Sequence, residues 1–166
     1  PPGPGCVRTP PPSGSLPPEH YRASSGGWSR YELLLARSYG ELTLRPVHQL
    51  VVDAYTAQHP RVDTPRALRQ VMLCLMTLGL FVEEAVDPAK GPRLHQRMVA
   101  SLPDLEPLAP PSTVVGMTVD DVLAAPDAAD HDRLARDWAD RLWRAWAPHH
   151  ATVWGLVDET LGGRRG

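Results

Sequence analysis

Apolar positions along the chain recur at helical spacing and nowhere alternate in the manner of a strand. Ser29 to Tyr39 carries Leu33, Leu34, Leu35 and Ala36 between polar flanks, and Gly40 stands where a glycine ends a helix. Pro46 fits the first turn of a second helix, and His59, which precedes Pro60, is pushed out of helical geometry. Thr64-Pro65, a cap followed by proline, opens a third helix running to about Val86 whose middle is apolar nearly all round. Such a helix belongs at the centre of a bundle. Arg93 to Leu102 gives a short amphipathic helix, and Thr118-Val-Asp-Asp121 a capped start of one or two turns. The last helix begins near Asp127 and spaces Asp132/Arg136, Asp137/Arg141 and Asp140/Arg144 for i,i+4 ion pairs. Its apolar stripe runs Leu134, Trp138, Leu142, Ala145, His149 and Val153, with Trp143, Trp146 and Trp154 on an adjoining face and Pro148 as a kink or restart.

These elements predict an all-α fold: a single-domain bundle of about five helices around a buried central helix. Residues 1–18 hold eight prolines among glycines and serines, a composition that forms no regular helix, and are expected to be a tail or strap. The helical domain then covers 19–161, and 162–166 form a flexible tail. A chain of 166 residues that is 42% hydrophobic supports one domain with a real core. Its formal charge of −2, with both signs interspersed, excludes the electrostatic footprint of a nucleic-acid or anionic-membrane binder. The longest apolar run, Val71 to Val82, is too short to span a bilayer and is expected to be core. Two well-separated cysteines, Cys6 and Cys74, without a signal peptide favour free thiols and a cytoplasmic location. The chain opens on Pro1 with no methionine, which leaves an upstream segment open.

Candidate chemistry centres on the segment from Val47 to Pro60, where His48, Val52, Tyr55 and His59 fall on one helical stripe. The two imidazoles stand roughly 16 Å apart, too far for one metal. Cys74 in the central helix and His149-His150 after the tryptophan-rich stretch are further ligand types for zinc or iron. Asp53 and Tyr55 lie nearby, and with Trp143, Trp146 and Trp154 they make a candidate surface for a ligand or partner. Each of these residues also has a structural reading: His59 as a cationic group at the negative end of a helix, Cys74 as a small buried hydrophobe, His149-His150 as helix-end hydrogen bonders. No dinucleotide fingerprint, P-loop or nucleophile elbow is present.

The runs VHQLVVDAYTAQHP, RALRQVMLCLMTLGLFVEE, TVDDVLAA and RDWADRLWRAWAPHH resemble an uncharacterised family of small bacterial proteins known only as a domain of unknown function. That family's members often carry Cys-Pro-x-Cys-Gly at the start, Cys-Trp before the first helix and His-Leu in the third, a set that implies zinc. This chain has Gly3-Pro4-Gly5-Cys6, Gly27-Trp28 and Cys74-Leu75 at those places. On the resemblance, a metal site is either lost here or held by the retained Cys6, His48, His59 and Cys74. Two functions follow as expectations: a non-catalytic or accessory helical protein that binds a protein partner, a second copy or a small ligand; or a metal-dependent hydrolase or transferase that uses zinc or iron on histidines from two helices.

Overall fold

The computed structural model describes residues 16–19 and 21–162, so Cys6 and most of the proline-rich segment lie outside the described residues. Helix α1 (Ser25–Gly40) begins four residues before the expected start, because the Ser24 side chain accepts from Gly27 N at 3.1 Å and caps it. A 3-10 stretch, Leu42–Val47, contains Pro46, so α2 (His48–Gln58) starts two residues beyond that proline. Thr64 caps α3 (Pro65–Val82) by accepting from Ala67 N at 3.2 Å. α3 stops before the expected Val86, where Ala85 takes a left-handed conformation (φ 51°) and turns the chain.

After a 3-10 turn at Pro88–Lys90 come α4 (Gly91–Ser101), α5 (Val119–Leu123) and α6 (Ala128–Ala145). α5 has a complete capping box: Thr118 N donates to Asp121 Oδ2 at 2.8 Å while the Thr118 hydroxyl accepts from Asp120 N. Pro148 lies in a 3-10 turn, Ala147–His149, and the chain restarts as α7 (His150–Leu161), which Gly162 ends at φ 81°. The fold is all-α, with seven α-helices among the described residues rather than about five. Five-residue α5 stands as its own element, and Pro148 separates α7 from α6.

α3 packs against α2, α4, α6 and α7 and so occupies the centre. By length and composition it could cross a membrane, but 72% of it is buried inside the fold. The three expected ion pairs on α6 form, Arg136–Asp132 at 2.9 Å, Arg141–Asp137 at 3.0 Å and Arg144–Asp140 at 2.9 Å. Exposed pairs of this kind each contribute only about 0.3–0.5 kcal/mol. The helix is held by its inner face, which is rotated from the expected stripe. His131, Ala135, Trp138, Ala139, Leu142 and Trp143 are buried, while Leu134 and Ala145 are half-buried. Indole nitrogens fix this rotation: Trp138 Nε1 donates to Gln58 Oε1 (3.2 Å), Trp146 Nε1 to the Ala57 carbonyl (3.1 Å) and Trp143 Nε1 to Glu83 Oε1 (2.7 Å).

His59 caps the C-terminus of α2 and is 4% exposed. Burial drops its imidazole from 6.5 to about 4, against a weaker upward pull from a hydrogen bond to the Arg22 backbone. It is therefore neutral near pH 7, and the expected cationic interaction with the helix end is not made. The desolvation behind that drop is worth about 3 kcal/mol at 1.36 kcal/mol per pKa unit, whereas a helix-end charge gains only about 0.3–1 kcal/mol.

Two outcomes are expected. Trp138→Ala should cost about 3 to 5 kcal/mol in urea denaturation, since it empties a fully buried site and strands Gln58. Between pH 6.5 and about 4 the unfolded chain binds a proton at His59 that the folded chain does not, so stability falls as pH drops through that window and levels off below it. His48 and His131 are shifted downward too, so His59→Gln should flatten part of the slope; a variant with the wild-type slope would show that His59 does not drive it.

Candidate metal centre

Three helices place polar side chains at one spot in an otherwise apolar interior. α2 contributes Gln49 and Asp53, one turn apart on the same face, and α3 contributes Cys74 and Thr77. α4 contributes His95. Suitable ligand atoms of Asp53, Cys74 and His95 all lie within 4.8 Å of one another. Among the described residues, no other group of three or more such side chains comes this close.

The Asp53 side chain is 0% exposed. Its Oδ1 accepts from Gln49 Nε2 at 2.8 Å, its Oδ2 accepts from Thr77 Oγ1 at 2.6 Å, and His95 Nε2 lies 3.5 Å from Oδ1. His95 is the only basic side chain within ion-pair distance of this carboxylate among the described residues. Thr77 has one hydroxyl proton to give, to Asp53 or to the Leu73 carbonyl at 3.0 Å, and His95 Nε2 is 3.0 Å from the same oxygen. When Thr77 donates to Asp53, the bond to His95 requires a proton on Nε2.

Cys74 is wholly buried, and burial first, then the Asp53 charge, pushes its thiol well above the ordinary range. Gln70 Nε2 stands 3.6 Å from Sγ, and the Thr56 hydroxyl on α2 donates to the Val52 carbonyl at 2.9 Å. A Cys-His-Asp relay needs the carboxylate on one imidazole nitrogen and the thiol on the other. Here Asp53 and Thr77 both approach Nε2, and the sulfur is sealed from substrate. The arrangement does not suit nucleophilic catalysis.

It does suit a cation. Tetrahedral zinc with bonds of 2.0–2.3 Å separates its ligand atoms by about 3.3–3.8 Å, which small rotations of three side chains now within 4.8 Å can supply. A carboxylate and a thiolate would neutralise a divalent ion, and the Gln49, Thr77 and Gln70 contacts provide the outer hydrogen bonds that hold such ligands. His95 lies at the edge of the cluster, with 20% of its side chain exposed.

The other sequence candidates lie apart. His48 Nδ1 pairs with Ser38 Oγ at 2.7 Å, and burial followed by the nearby Arg45 charge lowers its pKa. His59 packs against the Tyr55 ring. His149 Nε2 meets the Ala109 carbonyl at 2.8 Å; His150 stacks on Trp143 with ring centres 3.8 Å apart and Nε2 2.9 Å from the Trp143 carbonyl. Tyr55, Trp143, Trp146 and Trp154 are buried in the core. Cys74 alone of the described metal candidates enters the cluster, joined by Asp53 from the candidate ligand surface. Sequence reading passed over His95, the sole histidine on its short helix; the signal available was Gly91 four residues earlier, on the same face.

Comparison with curated proteins and with solved structures finds no match for the chain. A family model does match it over residues 4–147, a span that includes all of the cluster. The chain belongs to DUF5946, a family of unknown function.

Proposed function

We propose that this protein binds one divalent transition-metal ion of the zinc type at Asp53, Cys74 and His95, and acts through it. The observation that carries the reading is the convergence of three ligand types from three helices around a fully buried carboxylate that has no arginine or lysine partner among the described residues. Without an ion, the bundle keeps a carboxylate and a thiol in its interior on hydrogen bonds and the neighbouring His95 imidazole. With one, the two anions are matched by a double positive charge, one of the ways in which buried charges are compensated.

Three protein ligands leave a zinc ion one position for water or a substrate atom, and the chemistry it supplies there is that of a Lewis acid. The protein's share is to hold the ligands: Gln49 and Thr77 orient the carboxylate, Gln70 supports the sulfur, and His95 sits at the solvent-facing edge. This favours a metal-dependent hydrolase or transferase over a purely accessory role, with ligands other than the histidine pairs expected from the sequence. A reducing cytoplasm suits it, because Cys74 must stay a thiol to bind.

Elemental analysis of protein purified without chelator or affinity metal should find about one zinc or iron per chain. A hundredfold excess of free metal over its dissociation constant should stabilise the fold by about 2.7 kcal/mol, and chelation should reverse this. Cys74→Ala, His95→Ala and Asp53→Asn should each abolish retention while helix content persists; His48→Ala and His149→Ala should retain the metal. Cobalt substitution should give a sulfur-to-metal charge-transfer band in the wild type. Cys74→His, which keeps a ligand at that position, should bind cobalt without that band. No metal after reconstitution, or loss in His48→Ala with retention in Cys74→Ala, would overturn the proposal.

A further inference from the structure

We infer that Gly91 is the positioning residue of this site: by letting α4 close onto the Gln49 stem of α2, it sets where His95 stands relative to Asp53. The inference rests on the metal reading for its functional meaning but on steric geometry for its substance.

Gly91 begins α4 and is buried. Its backbone angles, φ −49° and ψ −51°, are ordinary right-handed helix, so glycine is not needed there for conformational freedom. It is needed for space. A Cβ at residue 91 would fall 2.2 Å from Gln49 Cγ, 2.8 Å from Gln49 Cβ and 3.1 Å from Phe81 Cζ. Gln49 Cγ could swing aside only by giving up the rotamer that brings its amide to Asp53 Oδ1 at 2.8 Å. Gln49 Cβ cannot swing at all, since the α2 backbone fixes it. Any side chain at 91 therefore pushes α4 away from α2, breaks the Gln49–Asp53 bond, or does both.

His95 lies one turn beyond Gly91 on the same face of α4. Its Nε2 reaches Thr77 at 3.0 Å and Asp53 at 3.5 Å, margins that a displacement of about an ångström would remove. Asp53 and Cys74 belong to the tightly packed α2–α3 pair, while the third ligand hangs on how closely α4 docks. Gly91 thus couples the outer support of Asp53 to the placement of His95 through one contact.

A reciprocal swap tests this. Gly91→Ala, Gln49→Gly and the double variant G91A/Q49G would be compared in two readouts: the His95 ring resonances in protein kept metal-free by chelator, and affinity for cobalt(II) alone. Gly91→Ala should displace the resonances and weaken cobalt binding by about 10-fold or more, the usual cost of losing outer-shell support. Gln49→Gly should leave the resonances near wild type and weaken binding by less. The double variant, which clears both Gln49 carbons from the new methyl, should return the resonances and bind as Gln49→Gly does. If Gly91→Ala fails to fold, a folded double variant with native His95 signals supports the inference equally. Unchanged His95 resonances in Gly91→Ala, or a double variant no better than Gly91→Ala or itself unfolded, would overturn it. Should the resonances follow this pattern while no variant, nor the wild type, binds cobalt, the positioning role stands and the metal reading fails.

Discussion

A helix that is apolar on every side has no face to offer water, and α3 imposes that constraint on the rest of the chain. Residues from Val71 to Leu80 are buried without interruption, so neighbours must cover the helix all the way round. α2, α6, α7 and α4 do so, and their own amphipathic patterns are consequences of that duty. Full enclosure also means that any polar group between Val71 and Leu80 is buried wherever it points. Cys74 and Thr77 are therefore interior groups by geometry, and their bonding must be met by whatever side chains the covering helices present.

Thr77 meets the requirement twice over. Its hydroxyl reaches its own helix at the Leu73 carbonyl and crosses to Asp53 on α2, so it has an acceptor whichever way its proton lies. Asp53 needs the donors more than Thr77 needs the acceptor, since an uncompensated buried carboxylate costs several kcal/mol. Gln49, Thr77 and His95 together surround it, from all three helices of the cluster. Polar satisfaction, helix docking and ligand convergence are here the same set of contacts. That is why the cluster is compatible with a stable core and why it sits beside α3 rather than at a helix end.

The sequence made α3 legible because its signals are local: Thr64-Pro65 marks the start and the apolar middle marks the burial. The α6 ion pairs were legible for the same reason, being fixed by i,i+4 spacing within one helix. The rotation of α6 was not. Two adjoining stripes both carry tryptophans, and the choice between them is made by acceptors on other elements, Gln58, Ala57 and Glu83. His95 was hidden likewise: its partners stand 42 and 21 residues earlier, and their meeting depends on the depth to which α4 docks, which no periodicity within α4 encodes. The histidines that stood out did so by number and spacing, yet each is engaged nearby, His48 by Ser38 and His150 by Trp143.

Position 74 joins the two lines of reasoning. On the resemblance, Cys74-Leu75 stands where a His-Leu is expected, a change from one zinc-ligand type to another. If position 74 served only packing, a small apolar residue would fill the interior of α3 without a proton to place. Instead the side chain there, buried beyond any exposure, lies beside Gln70 and Asp53, and the His95 imidazole comes from a helix whose approach to α2 leaves no room for a side chain at residue 91. A core of this size gains nothing in packing from gathering a carboxylate, a thiol and an imidazole at one point, and each added polar group raises the hydrogen-bonding demand on its neighbours. The divalent cation proposed above would satisfy all three with a single charge.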